Sequence, residues 1–310
     1  MKHALWPRRM VGALRAVHAV HAVHAVRAFR AALAGLALLV LAACSATTLV
    51  YDNGATLLRW RATSYLDVHG QQAQDLERRI DAFLAWHRAT ALPQYARFAD
   101  ACARRMARGL TRADLEWGYD MFLAQLEQSL RTLSREIAPL LDTLTPEQIA
   151  HLEQRIAEDN ERFAEERLEG DEAARRARRM ERTVTRLEEW FGPLNAAQRA
   201  PVRRYNRAAP LTAELRADDR RRRQAALLTI VRTRSAQRKL ADWAAHWDQG
   251  REPAYAAASR AHREAYYDML LAIDKTLSAE QRVAASTRLR SFAQEFQLLA
   301  GAGGQSARTQ

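Results

Sequence analysis

Apolar residues recur at helical spacing over residues 115–137. Each step between them is three or four positions, so in a helix of 3.6 residues per turn they share one face. The set is Leu115, Tyr119, Phe122, Leu126, Leu130, Leu133 and Ile137. A strand would need apolar residues at every second position, and the sequence has no such run. This stretch therefore predicts a long amphipathic helix, which Pro139 ends or kinks.

The remaining sequence also favours helices. Ala, Leu, Arg, Glu and Gln dominate it, whereas Gly and Pro number only 12 and 8. With 310 residues, 48% of them hydrophobic, the chain can bury a sizeable core. We predict an all-α protein, an elongated bundle of about eight to ten amphipathic helices. The predicted segments are a leader (1–43), a tether (44–55), the helical domain (56–300) and a disordered tail (301–310).

Several predicted helices begin with one pattern, an apolar residue, a capping residue and a glutamine three positions later. In "LTPEQI", residues 144–149, the Thr145 hydroxyl suits the N-cap and Gln148 can reach back to the N-cap amide, which completes a capping box. The pattern here consists of Leu144, Thr145 and Gln148. It recurs in Leu194, Asn195 and Gln198, and in Leu277, Ser278 and Gln281. "LTRADL" is a relative, with Asp114 in place of the glutamine. Capping alone explains the recurrence without any function.

The first fifty residues have the order of a bacterial lipoprotein leader. A basic stretch precedes the apolar run "AALAGLALLVLAAC", residues 31–44, which has the dimensions of a signal peptide. It ends in a lipobox-like Leu41-Ala42-Ala43-Cys44, so cleavage would leave Cys44 to carry the lipid. An uncleaved anchor with a chance cysteine is the alternative. The His-rich "VHAVHAVHAV" precedes the cleavage site, so no metal site is assigned to it.

Lipidation would tether the protein to a membrane. Ser45 follows Cys44, and by resemblance to enterobacterial lipoproteins a residue other than Asp here implies the periplasmic face of the outer membrane. Removing residues 1–43 also lowers the formal net charge from +12 to +6. Nucleic-acid binding thereby loses most of its support.

Charge is unevenly distributed along the predicted helical domain. Residues 147–172 carry a net charge of −7, and residues 199–239 carry +10. The basic block holds the candidate client-binding face Arg203, Arg204, Arg207, Arg220, Arg221, Arg222 and Arg223. Two arrangements stay open, because these arginines could face a ligand or could pair with the acidic helix.

The sequence offers no catalytic, cofactor or metal site. It has no Gly-rich phosphate loop, no zinc-type Cys cluster and no HExxH motif. Cys102 lies at helical spacing from Phe98 and Met106, which predicts a small core residue rather than a reactive thiol. We therefore expect a protein that is not an enzyme.

Two resemblances bear on function. "LTPEQIAHL" and its relatives resemble the LTxxQ motifs of Spy- and CpxP-type periplasmic chaperones, which implies a helical cradle for non-native clients. "LVYDN", "RRIDAFLAWHR", "LPQYARFA", "GLTRADLE" and "RRARRMERTVTRLEEWFGPLNAAQRAPV" resemble an uncharacterised family of proteobacterial lipoproteins, defined only as a domain of unknown function. This second resemblance covers most of the mature chain and implies fold and location but no site residues.

The expectation is thus a tethered periplasmic chaperone or envelope quality-control protein that binds unfolded or outer-membrane proteins. The alternative is a structural or adaptor lipoprotein that docks one envelope partner. Binding of lipid or of an anionic surface by the basic block is a further possibility. The two main hypotheses differ in their partners, since a chaperone has many and an adaptor has one at fixed stoichiometry.

Overall fold

The computed structural model describes residues 54–246 and 248–306, and this part of the chain is helical without any strand. The helices are α1 (54–66), α2 (Gly70–Trp86), α3 (Leu92–Arg108), α4 (Arg112–Leu141), α5 (Pro146–Leu168), α6 (Glu172–Phe191), α7 (Ala196–Ala208), α8 (Ala213–Arg232), α9 (Ala236–Ala245), α10 (Pro253–Asp274) and α11 (Ala279–Ser306). The predicted all-α bundle is confirmed. The predicted leader, Cys44 and Ser45 lie outside the described residues. Helix α11 reaches Ser306, past the predicted end of the helical domain at 300 and into the predicted tail.

Helices α2 and α3 are continuous, although a proline such as Pro93 suits the first turn of a separate helix. A π-helical turn, His87–Ala91, joins them, and the amide of Leu92 donates to the carbonyl of His87 five residues earlier. Proline has no N–H and its ring crowds the preceding turn. The wider turn just before Pro93 accommodates this ring, so the chain continues without a break.

The predicted capping boxes form at α5, α7 and α11. At α5 the Thr145 hydroxyl accepts from the Gln148 amide at 3.3 Å, and Gln148 Oε1 accepts from the Thr145 amide at 3.0 Å. Asn195 and Gln198 do the same at α7, as do Ser278 and Gln281 at α11. Thr111 and Asp114 form the equivalent box at α4.

The capping glutamines also pair with one another across the fold. Gln198 Nε2 donates to Gln281 Oε1 at 2.7 Å, and Gln281 Nε2 returns a bond to Gln198 Oε1 at 3.3 Å. Gln148 makes the same reciprocal pair with Gln72, at 2.7 and 3.3 Å. Gln72 is the third residue of α2, so it occupies in α2 the position that the capping glutamines hold in α5, α7 and α11.

The two glutamine pairs, each a junction between two helix starts, also share a hydrogen bond to a backbone carbonyl. Gln148 Nε2 also donates to the carbonyl of Asp67 at 2.9 Å, and Gln198 Nε2 donates to that of Thr276 at 3.1 Å. Each carbonyl lies two residues before the N-cap of the partner helix. The recurring glutamine therefore joins pairs of helix starts as well as capping its own helix.

Each junction adjoins its own hydrophobic core. The first core combines α1, α2, the end of α4, α5, α8 and α9, and it includes Leu76, Leu140 and Leu144. The second combines α6, α7, α10 and α11, and it includes Leu187, Val202 and Ile273. Helices α3 and α11 pack along each other. Both cores lie within the described residues.

The predicted amphipathic helix forms as α4, but its apolar stripe is only partly covered. Phe122 is 55% exposed and Leu126 is 36% exposed, whereas Gln125 and Ser134 of the same helix are buried. The C-terminal half of α4 packs in the first core, but its middle faces an opening between helices. Pro139 lies inside the last turn, and the helix ends at Leu141.

Candidate functional site

An open cleft of about 1240 Å³, the arginine cleft, lies between α6, α10 and the start of α8, with α4 and α5 at its edges. Its lining contains nine arginines and one carboxylate, that of Asp248. The arginines are Arg167, Arg175, Arg179, Arg182, Arg186, Arg216, Arg251, Arg260 and Arg263. Aromatic side chains complete the walls: Tyr119, Phe122, Phe163, Tyr205, Tyr255, Tyr266 and Tyr267.

Helix α6 supplies the central row of arginines. Arg175, Arg179, Arg182 and Arg186 follow one another at steps of four, three and four, so they lie on one helical face. The apolar residues Met180, Val184, Leu187 and Phe191 occupy another face and pack in the second core. Asp171 starts this helix by accepting a hydrogen bond from the Ala174 amide at 2.8 Å, and Gly192 ends it.

Arg179 is the arginine of this row that stabilises the fold itself. It is only 8% exposed and donates to Asn206 Oδ1 and Pro210 O at 3.0 Å each, and to Ala209 O at 2.9 Å. These acceptors surround the C-terminus of α7, where carbonyls lack helical partners and attract a positive charge. Burial lowers the pKa of Arg179, while the nearby Tyr205 opposes that shift. Arg179 therefore holds the floor of the cleft in place.

Five other cleft arginines have no carboxylate partner among the described residues. They are Arg182, Arg186, Arg216, Arg260 and Arg263. Arg182 is exposed, yet burial of part of its side chain lowers its pKa, and surrounding arginines, Arg167 foremost, lower it further. Like charges held together in this way raise the free energy of the empty cleft. An anion bound among them would relieve the repulsion.

Aromatic rings hold several of the guanidinium groups. Arg263 stacks on Tyr119 at 4.6 Å from the ring centre, and Arg216 lies 5.7 Å from the ring centre of Phe163. Such stacking fixes a guanidinium plane while leaving its N–H groups free to bind a ligand.

One rim of the cleft is apolar. Phe122 lines the cleft, and its neighbours Met121 and Leu126 are 37% and 36% exposed. An exposed cluster of large apolar residues beside a concave surface is typical of a binding site. The cleft thus offers cationic and apolar contacts together.

His262 and Tyr205 form a polar pair in the wall. The two side chains are joined by a hydrogen bond of 2.9 Å between Tyr205 Oη and His262 Nε2. Burial lowers the pKa of His262, although the carbonyl of Pro210 favours the charged ring. His262 is therefore neutral at neutral pH, and among the described lining residues the arginines supply the positive charge of the cleft.

The arginines of the α8 segment, predicted as part of the client-binding face, lie largely outside the cleft and have partners. Arg220 donates to Asn160 Oδ1 of the acidic helix α5 at 2.7 Å, with Asp159 at 3.9 Å. Arg221 pairs with Asp218, and Arg222 pairs with Asp219 at 2.8 Å. Arg223 lies over Trp243 at 5.0 Å. Pairing with the acidic helix thus holds for Arg220, and Arg221 and Arg222 pair within α8.

The other three predicted arginines are on α7. Arg203, Arg204 and Arg207 are exposed, and none of them lines the arginine cleft. Arg204 borders a separate shallow depression of about 460 Å³ near Lys275. Their role as client contacts stays a prediction.

The sequence did contain a signal for the cleft, namely the arginine stripe of α6. The same helix also carries an apolar stripe, so its sequence alone does not distinguish a ligand-binding arginine face from an ordinary solvent-exposed one. The arginines of α10 gave no comparable pattern, since Arg260 and Arg263 are three apart among mixed neighbours. Only the packing of α10 beside α6 and α7 places them in the same cleft.

Cys102 is half-buried, and burial raises the pKa of its thiol to about 11. The thiol is therefore protonated at neutral pH, as the predicted core role requires. No cluster of metal-ligating side chains occurs among the described residues. None of the helices in this part of the chain is long and apolar enough to cross a membrane.

Comparison with known proteins gives one family. A model described as a family of unknown function (DUF6279) matches residues 64–255. That range contains α2 to α9 and the arginine stripe of α6. Neither the curated proteins nor the solved structures give a match.

Proposed function

The chain belongs to the family of unknown function DUF6279, and since membership implies no activity, we propose a function from the cleft. The protein is a non-enzymatic, chaperone-like binder that holds extended, acidic segments of non-native polypeptides. The observation that carries this proposal is the group of five cleft arginines, Arg179 apart, that have no carboxylate partner in the described residues, beside the exposed apolar residues of α4.

The chemistry of the cleft suits such a client. A guanidinium binds a carboxylate through two parallel N–H···O bonds, and Arg182, Arg186 and Arg260 present such groups to solvent. Phe122 and its neighbours can cover apolar side chains that an unfolded segment exposes. Exposed arginines and single apolar side chains give weak, adaptable contacts, as reversible binding of many clients requires.

The proposal also places the protein at a membrane, through a lipid anchor. The lipobox-like Cys44 and the following Ser45 support a lipoprotein tethered to the periplasmic face of the outer membrane. A tether of this kind would keep the cleft near proteins that cross the periplasm unfolded. The partners proposed are thus the membrane, through the lipid, and non-native envelope proteins.

The test is suppression of aggregation without ATP. The full chain, reconstituted in phosphatidylcholine vesicles, is mixed with several chemically unfolded clients that differ in net charge, and light scattering is followed after dilution. We expect suppression near stoichiometric ratio, strongest for acidic clients. Absence of suppression for every client would contradict the proposal.

Two matched double substitutions locate the binding surface. Arg182→Glu with Arg186→Glu reverses two charges in the cleft, and Arg203→Glu with Arg204→Glu makes the same change on α7. We expect the first pair to reduce suppression at least tenfold and the second to leave it within twofold. The reverse result would assign binding to the basic block of α7. Capture of one partner at fixed stoichiometry, with no general suppression, would instead favour an adaptor.

A further inference from the structure

A second cavity of about 320 Å³ adjoins the arginine cleft and differs from it in character. It lies between α3, α4 and α10, and its walls are almost entirely apolar. Among its lining residues are Phe98, Leu115, Trp117, Phe191, Leu270 and Leu289. A volume of this size is at the lower end of those that hold small ligands.

The carboxylates at the cavity wall are paired with arginines of the protein. Asp114 pairs with Arg105 at 3.1 Å and Arg108 at 2.6 Å, and Asp274 pairs with Arg282 at 2.7 Å. The remaining surface is therefore suited to a hydrocarbon rather than to a polar ligand.

Tyr119 and Tyr267 line both cavities, so they mark the boundary between them. Tyr267 is only 6% exposed, and its hydroxyl is buried without a hydrogen-bond partner in the described residues. A buried O–H without an acceptor is costly, so it favours a ligand that accepts a hydrogen bond. Arg263 precedes Tyr267 by one helical turn and stacks on Tyr119. A cation and a donor thus lie together where the apolar cavity meets the cleft.

Gly118 provides a second, independent sign that the space is kept open. It lies inside α4, where glycine is unfavourable compared with alanine. A Cβ atom built on Gly118 would meet no atom within 4 Å, so close packing does not require a glycine there. Gly118 lines the apolar cavity, and a larger side chain at this position would fill it.

We propose that the apolar cavity holds the acyl chain of an anionic single-chain amphiphile, whose headgroup is bound by Arg263 and the Tyr267 hydroxyl. This inference goes beyond the proposed function and does not depend on it. The ligand class follows from the two contiguous environments, one apolar and one cationic. Asp120, an exposed carboxylate of α4, is close enough to act electrostatically on the Tyr267 hydroxyl, but no ion pair joins it to Arg263 in the described residues.

Photolabelling tests the proposal in the full chain. The protein is reconstituted in phosphatidylcholine vesicles with a palmitic acid that carries a diazirine in mid-chain, irradiated, digested and mapped by mass spectrometry. We expect adducts on Leu115, Leu270 and their neighbours, with loss of these adducts under excess unlabelled palmitate. Adducts confined to surface residues would overturn the proposal.

Two substitutions at Gly118 provide the matched controls. Gly118→Leu should fold, because its Cβ meets no atom and leucine favours helix, and it should reduce labelling of the cavity at least fivefold. Gly118→Ala should retain labelling within twofold. Equal labelling of the leucine variant and the unchanged protein would contradict the assignment. Aggregation suppression by Gly118→Leu should stay unchanged, which separates this site from client binding.

The headgroup is tested separately. Tyr267→Phe with Arg263→Gln should lower labelling by the palmitic acid probe severalfold, whereas labelling by the neutral alcohol analogue should change little. Hexadecyl phosphate and palmitate are compared as competitors, since the stronger one identifies a phosphate or a carboxylate as the preferred headgroup. Equal competition by hexadecanol would overturn the anionic part of the proposal.

Discussion

Two arginine-rich regions of this protein have opposite environments. In the "DDRRRRQ" segment of α8, Arg220 contacts the acidic helix α5, while Arg221 and Arg222 pair with aspartates one turn earlier. In the cleft, Arg182 and Arg186 stand among other arginines with no carboxylate partner in the described residues. The denser cluster in the sequence is therefore the better neutralised one.

The difference lies in which helix each region packs against. Helix α8 packs on α5, whose net charge is negative, so its positive charge stabilises an internal interface. The arginine stripe of α6 faces α10 and the start of α8, which bring more arginines. A charge left without an internal partner is available to a ligand. The functional candidate is thus the region where the protein does not satisfy its own charge.

The largest expected effect concerns Arg179, the buried cleft arginine. Arg179→Met removes the donor for several carbonyl and amide oxygens around the end of α7, and buried acceptors without donors are costly. We expect a loss of about 3 kcal/mol in the free energy of unfolding, measured by urea denaturation. Arg221→Met, on the exposed surface of α8, should change it by less than about 0.5 kcal/mol. Similar losses of unfolding free energy for the two variants would contradict the difference in environment between the cleft and α8.

The second-largest expected effect is a dependence of binding at the cleft on salt concentration. The affinity of the cleft for an acidic, extended peptide should fall about tenfold between low and moderate salt, because its arginines are exposed and screened. Titration of a fluorescent polyglutamate-containing peptide would measure this. Arg182→Glu with Arg186→Glu should abolish most of the salt dependence. A salt-independent affinity would indicate that apolar contacts dominate in the cleft.

The α5–α8 interface should show a smaller effect. Arg220→Ala removes the 2.7 Å bond to Asn160 and the stacking on Phe163 at 5.7 Å. We expect a loss of about 1 kcal/mol in unfolding free energy, with aggregation suppression unchanged. Impaired suppression in a variant of unchanged stability would show that α8 also contacts clients.

Much of the fold could be predicted from local signals. Helix starts followed from capping residues, as at Thr145 and Asn195, because a cap depends on neighbours three positions apart. The turn between α8 and α9 was missed, since it contains neither Gly nor Pro and uses a left-handed Arg234 with φ 49°. The glutamine pairs were also missed, because they join residues 76 and 83 positions apart.

The site was harder to predict for the same reason. A sequence shows how many arginines a segment has, but the partner that neutralises each one is set by tertiary packing. The stripe of α6 was visible at helical spacing, whereas its neighbours on α10 were not. Likewise the apolar stripe of α4 was visible, but the sequence does not show that Phe122 is 55% exposed at the cleft. Both features fall at the candidate site, where local pattern and packing disagree.

The smallest expected effect is a pH dependence that belongs to the cleft. Burial lowers the pKa of His262 below the 6.5 of a free histidine, so the unfolded chain takes up a proton at higher pH than the folded protein. The contribution of His262 to the free energy of unfolding is therefore full well above pH 6.5. It falls as the pH drops through 6.5 and levels off beneath the folded-state pKa. His262→Gln keeps a partner for Tyr205 but cannot titrate, so its unfolding free energy should depend less on pH between 7.5 and about 5. Urea unfolding of both proteins across this range measures the difference. Identical slopes would show that His262 is not held neutral, and that the arginines are not the only cations of the cleft at mildly acidic pH.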